Sequence, residues 1–253
     1  MSVAILEGKK VTKQFGALKA VWHVDFDVKQ GEILGIIGPN GAGKTTLLSM
    51  VNGTEALTDG EIFFKGERIS GLKPFRIAER GISRTFQVVK PFPGMTTLEN
   101  VAIGALFGKD KIKSSREAQE KTLNILEKLN LASKANVAVE NLNISERKRL
   151  ELARALAMEP ELLLLDEVMA GSNYAELDLF MKLVEQLNAE GKTVVLIEHV
   201  MRAIMAVSQR IIVLHHGVKI AEGTPDEVQN DEDVISAYLG QRYTQSRARH
   251  AEG

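Results

Sequence analysis

The run Gly38-Pro39-Asn40-Gly41-Ala42-Gly43-Lys44-Thr45 has the spacing G-x-x-x-x-G-K-[ST], and that spacing carries a mechanism. Glycines let the backbone curl with its N–H groups turned inward. The N-terminus of the following helix adds partial positive charge, so the loop can wrap polyphosphate oxygens. Gly38, Asn40, Gly41, Ala42 and Gly43 are the candidate wrapping residues, with Thr46 just beyond them. Lys44 is expected to reach the β- and γ-phosphates, and the Thr45 hydroxyl to ligate Mg²⁺. A second stretch, Glu161-Leu162-Leu163-Leu164-Leu165-Asp166-Glu167, is an apolar strand ending in two acids. Open α/β sheets bind ligands at such carboxyl-terminal strand edges. Asp166 is the candidate holder of Mg²⁺, through water, and Glu167 the candidate to orient or deprotonate an attacking water. Loop and acids together point to hydrolysis of a nucleoside triphosphate.

Both groups depend on the elements that carry them. Ile33-Leu34-Gly35-Ile36-Ile37 is a short apolar run before the glycine loop, as expected of a strand buried on both faces. Residues 45–52 read as the helix after the loop. Val24-Asp25-Phe26-Asp27-Val28 alternates apolar and polar, which suits a half-exposed strand. Residues 3–37 read as short strands with turns, and strand character returns over 60–70. From about 97 to 157 helix formers dominate, with Leu123, Leu126, Leu129 and Leu131 near helical spacing and a charge-rich, solvated stretch over 109–121. Strands follow at 162–165, 194–197 and 211–214, with a helix over 175–189 between the first two. That alternation gives an α/β fold with a helical insertion. No internal repeat is present, and residues 241–253 read as a polar, disordered tail.

Composition narrows the class. The 253 residues carry 32 Lys+Arg and 33 Asp+Glu, a formal charge of −1 that argues against binding nucleic acid by bulk charge. Hydrophobic residues at 44% and charged residues at 26% exclude a mostly disordered chain. With no cysteine, disulfides, thiolate nucleophiles and Cys-ligated metals are excluded. Apolar runs such as 162–165 and 194–197 are four residues long, against the roughly 20 a membrane helix needs. No signal peptide is indicated, so the expected compartment is the cytosol.

These residues together resemble the nucleotide-binding subunit of an ABC transporter, over about residues 6–240. Phe15, in Gln14-Phe15-Gly16, matches the aromatic that stacks on adenine. Gln87, in Arg84-Thr85-Phe86-Gln87, matches the glutamine that touches Mg²⁺ and links the sheet to the helical part. His199, in Ile197-Glu198-His199, matches the switch histidine that contacts the γ-phosphate. The resemblance implies a single ATPase domain over 1–240. Its core would span 1–87 and 158–240, with an N-terminal antiparallel β part and a helical subdomain over about 88–157. It also implies ATP and Mg²⁺, with Lys44, Gln87, Glu167 and His199 catalytic and Thr45, Gln87 and Asp166 around the metal. The implied partners are a second ATPase subunit closing head to tail, membrane permease subunits that hold the chain at the inner face of the cell membrane and, indirectly, a solute-binding protein. No nucleic-acid partner is implied. Gly81-Ile82-Ser83-Arg84-Thr85-Phe86-Gln87, Met95-Thr96-Thr97-Leu98-Glu99-Asn100-Val101, Val168-Met169-Ala170-Gly171 and Leu196-Ile197-Glu198-His199 resemble, more narrowly, the ATPase subunits of branched-chain amino acid importers. Related urea and amide importers look similar.

Three stretches depart from the family pattern. The signature segment, Asn141-Leu142-Asn143-Ile144-Ser145-Glu146-Arg147, holds neither of the usual glycines. Asn143 and Glu146 nonetheless have capping-box spacing, which keeps a helix N-terminus able to face a phosphate, with Asn143 and Ser145 as its binding residues. Ile144 adds bulk there and Glu146 adds negative charge. Ala170-Gly171-Ser172-Asn173 stands where Leu-Asp or Leu-Asn is common, and Val200 where Asp is common. Two alternatives follow: a weak or non-hydrolysing ABC partner subunit, or a soluble ABC-type ATPase outside transport. One phosphate loop and no long heptad stretch count against the second.

Overall fold

A computed structural model describes residues 3–86, 90–109, 112, 114–169 and 173–238. β1 (Ala4–Phe15) and β2 (Leu18–Lys29) form a long antiparallel hairpin, joined by β4 (Asp59–Phe64) and β5 (Glu67–Arg68) in a four-stranded sheet of order β2-β1-β4-β5. These first strands are 12 residues each, longer than the short strands expected, because β1 crosses several register shifts and stays paired beyond them. In β2 the expected alternation holds: Val24, Phe26 and Val28 are buried and Asp25 is exposed.

The second sheet has six strands, in order β10-β9-β3-β8-β7-β6. It comprises β3 (Ile33–Ile37), β6 (Ile82–Arg84), β7 (Leu162–Asp166), β8 (Thr193–Ile197), β9 (Arg210–His215) and β10 (Val218–Gly223). Every pairing is parallel except that of β9 with β10. Side chains alternate between two apolar clusters. Leu162 and Leu164 join a cluster shared with the small sheet, whereas Leu163 and Leu165 join one shared with the helices. All four are fully buried, which is why a parallel strand reads as a continuous apolar run.

Helices cover the large sheet. α1 (Lys44–Val51) follows β3, and α2 (Pro74–Ala78) precedes β6. Between β6 and β7 lie α3 (Thr97–Phe107), α4 (Ser115–Lys128) and α5 (Ile144–Ala157), which pack on one another through Val101, Ala118, Leu126 and Leu150. α6 (Tyr174–Ala189), α7 (Met201–Val207) and α8 (Pro225–Gln229) complete the order. Local chemistry sets several helix starts. α3, α5, α6 and α8 each open on a reciprocal capping box, with Thr96, Asn143, Asn173 and Thr224 as the caps. Leu126, Leu129 and Leu131 are buried as their spacing suggests, but Leu123 is 39% exposed. α4 ends at Lys128, so Leu129 and Leu131 reach the core from the turn after the helix.

Candidate nucleotide site

The loop between β3 and α1 is held by backbone contacts that only glycine permits. Gly38 has φ +150°, and a Cβ there would lie 2.0 Å from the Leu214 carbonyl oxygen. Gly43 has φ +102°, and a Cβ there would lie 2.3 Å from the Ala20 carbonyl oxygen. The loop is thus pinned between β9 and β2. Lys44 is 5% exposed. Its Nζ donates to the carbonyl oxygens of Gly38 (2.7 Å) and Pro39 (3.1 Å). Burial pulls its pKa down, opposed by the charges of Glu167 and Asp166. A buried ammonium held by loop carbonyls, at the start of a helix, fits an incoming polyanion.

The acids arrive from β7. Asp166 is 2% exposed and sits against α1, with Thr45 Oγ1 at 3.4 Å from its Oδ1. Glu167 has φ +51°, a left-handed conformation uncommon for a non-glycine residue. Its N–H donates to the Ile197 carbonyl (2.9 Å). His199 Nε2 lies 2.5 Å from Glu167 Oε1. β8, next to β7 in the sheet, is what brings those two side chains together.

Between them Glu198 points inward and is 2% exposed. Its Oε1 accepts the Met169 N–H at 2.8 Å, and its Oε2 is buried with no hydrogen-bond partner among the described residues. Burial pushes its pKa from 4.5 up to about 7, aided by Glu167 and opposed by the N–H groups of Met169 and His199 and the charge of Lys148. The sign follows from proton counts. Between 4.5 and about 7 the folded chain holds a proton that the unfolded chain has lost, so this group makes stability fall as pH rises through that window. Glu198→Gln keeps an acceptor for Met169 and removes the titration. Relative to the parent, the variant gains on the order of 3 kcal/mol between pH 5 and pH 8. Denaturant unfolding at the two pH values measures this; identical pH dependence in both proteins would refute it.

One cavity of about 560 Å³ collects much of the expected site: Phe15, residues 40–46, Glu167 and His199. Gly38 lies beneath it as an acceptor for Lys44. Phe15 is 46% exposed, with Lys13 Nζ 4.7 Å from its ring centroid. Lys19 and His216 also line the cavity, and the motifs named neither. They come from β2 and from the β9–β10 turn, which the sheet brings over the loop; the one cue in sequence is the His215-His216-Gly217 turn after a buried strand. Among the described residues no cluster of three or more His, Cys, Asp or Glu could hold a metal. Thr45 and Asp166 are a sparse oxygen set, suited to Mg²⁺, which keeps waters and takes further ligands from substrate phosphates. Gln87, expected at the metal, lies outside the described residues, as do Ala170, Gly171, Ser172 and the tail over 241–253.

Asn143 and Ser145 are not among the residues lining this cavity. Asn143 caps α5: Glu146 N–H donates to Asn143 Oδ1 and Asn143 N–H to Glu146 Oε2, both at 2.9 Å. Ser145 Oγ donates to Glu176 Oε1 at 2.7 Å. Ile144 is 78% exposed. The negative charge of Glu146 is turned back onto the cap and met by Lys134 at 3.2 Å.

Residues 21–170, from within β2 to just past the acid pair, match the family described as ABC transporter. The chain belongs to the ABC transporter family. Residues 218–244 match a second family, described as branched-chain amino acid ATP-binding cassette transporter. Among similar ABC proteins is the high-affinity branched-chain amino acid transport ATP-binding protein BraF of Pseudomonas aeruginosa. It is 40% identical, over 95% of this chain and 100% of that protein. The ADP conformation of MJ1267, an ATP-binding cassette of an ABC transporter, superposes with a TM-score of 0.85 at 31% identity, over 94% of this chain and all of that one. A dimeric post-hydrolysis cassette, MJ0796 with ADP and Pi, gives 0.80 at 28% identity, over 87% and 98%. The ABC fold expected from the motifs is therefore the fold observed: a mixed α/β core, an antiparallel β part and a helical part between β6 and β7.

Proposed function

We propose that this chain is the ATP-hydrolysing subunit of an importer for branched-chain amino acids, working as a head-to-tail pair on the inner face of a membrane. The observation that carries the reading is the single cavity in which the Lys44 loop, Glu167 and His199 meet. ATP is bound by the loop N–H groups and Lys44, with Phe15 against the base. Mg²⁺, held by Thr45, Gln87 and, through water, Asp166, would neutralise charge on the phosphates. Glu167 orients the attacking water and draws its proton, while His199 positions Glu167 and contacts the γ-phosphate. The capped start of α5, with Asn143 and Ser145, serves the ATP of the facing subunit. Its absence from the lining of its own chain's cavity, the exposure of Ile144 and the dimeric relative with ADP and Pi support that pairing. γ-Phosphate joined to both subunits favours closure, and its loss permits opening.

No helix among the described residues is long and apolar enough to cross a membrane, so membrane attachment in this reading comes through permease subunits docked on the helical part. The test is ATP turnover by the chain assembled with its permease subunits in proteoliposomes, with the solute-binding protein empty or loaded. Leucine, isoleucine or valine is expected to raise turnover. Stimulation by urea or amides alone, or by no solute, overturns the assignment.

A further inference from the structure

Asp166 is not alone at the end of β7. The neighbouring strand β6 ends at Arg84, whose side chain is 5% exposed. Its Nη2 donates to Asp166 Oδ2 at 2.7 Å, and its Nη1 donates to Ser49 Oγ at 2.9 Å. Ser49 Oγ donates in turn to the Thr45 carbonyl at 2.7 Å. With Thr45 Oγ1 at 3.4 Å from Asp166 Oδ1, four residues from β6, β7 and α1 close a ring. The ring holds both oxygens of Asp166, one toward Thr45 and the other away from it. On its far side the Arg84 guanidinium lies 5.4 Å from the Phe86 ring centroid. The Phe86 backbone bonds the buried Glu151 of α5, so the ring also touches the helical part.

We propose that Arg84 is a positioning residue for the metal site: it clamps Asp166 so that Oδ1 alone is presented beside Thr45. The inference rests on the proposed nucleotide site. Arginine suits the task because its planar fork serves two acceptors on different elements while its charge stays fixed. A lysine ammonium keeps the charge but not the fork. Groups that orient the ligands of a metal affect metal affinity without touching the metal.

The test titrates ADP into the purified full chain with Mg²⁺ and with a chelator. Trp22, the only tryptophan, is a built-in reporter, because Lys19 of the cavity sits 3.5 Å from its ring centroid. In the parent, Mg²⁺ tightens ADP binding. In Arg84→Met the Mg²⁺-free affinity is expected to stay unchanged while the Mg²⁺-dependent gain shrinks about tenfold. Arg84→Lys is expected to fall between the two. Ser49→Ala, which removes one leg of the ring and no charge, gives a smaller loss in the same direction and keeps the test open if Arg84→Met does not fold. A full or increased gain in Arg84→Met, or in Ser49→Ala and Arg84→Lys together, overturns the inference alone. A parent chain that binds no ADP overturns the nucleotide reading with it.

Discussion

Lys44→Ala is expected to remove measurable ATP hydrolysis, a fall of at least ~10³-fold, and to weaken nucleotide binding severely. The effect is electrostatic. Lys44 is buried, and its ammonium is met by two backbone carbonyls. A triphosphate replaces those weak neutral partners with charged oxygens in a site already partly stripped of water, where charge-assisted hydrogen bonds are strong. Alanine leaves the loop N–H groups in place but removes the cation. The loop itself should survive, because its shape is fixed by Gly38 and Gly43 against the Leu214 and Ala20 carbonyls. Calorimetric titration with ATP, phosphate release and a thermal melt on the same sample separate lost binding from lost fold. Parent-like affinity in a folded Lys44→Ala protein contradicts the site.

Glu167→Gln is expected to lower turnover by ~10²–10⁴-fold while ATP still binds. The amide can keep the contact with His199, 2.5 Å from Oε1 in the parent, but cannot take a proton from water. Slow hydrolysis then prolongs the state in which ATP joins two subunits, so an ATP-dependent dimer should become visible by light scattering. The left-handed backbone of Glu167 helps aim the carboxylate and is indifferent to the amide exchange. Unchanged turnover in this variant would assign the water to another group.

The fold was largely legible because its cues are short-range. Strand alternation in 24–28, the apolar run at 162–165 and the Asn143/Glu146 cap each concern residues within a few positions, and the chain behaves there as the local rules require. Leu123 shares the helical spacing of Leu126, but periodicity cannot tell where a helix face meets its neighbours, and Leu123 is 39% exposed. The length of β1 and β2 was misjudged because register shifts let pairing run past points where the sequence pattern breaks.

What sequence alone determined is the chemistry on offer: a glycine loop with Lys44 and Thr45, two acids ending an apolar strand, and a histidine after another. Which of these meet was decided by the order of strands in the sheet. Placing β8 beside β7 puts His199 on Glu167, and placing β6 on the other side of β7 puts Arg84, 82 residues away in sequence, on Asp166. His216, in the turn after β9, also reaches the cavity, Lys19 enters it from β2 of the smaller sheet, and Asn143 and Ser145 stay out of its lining. The reason is physical: spacing along a chain fixes what a segment can do, whereas contact between distant side chains exists only after the sheet has closed around a shared core.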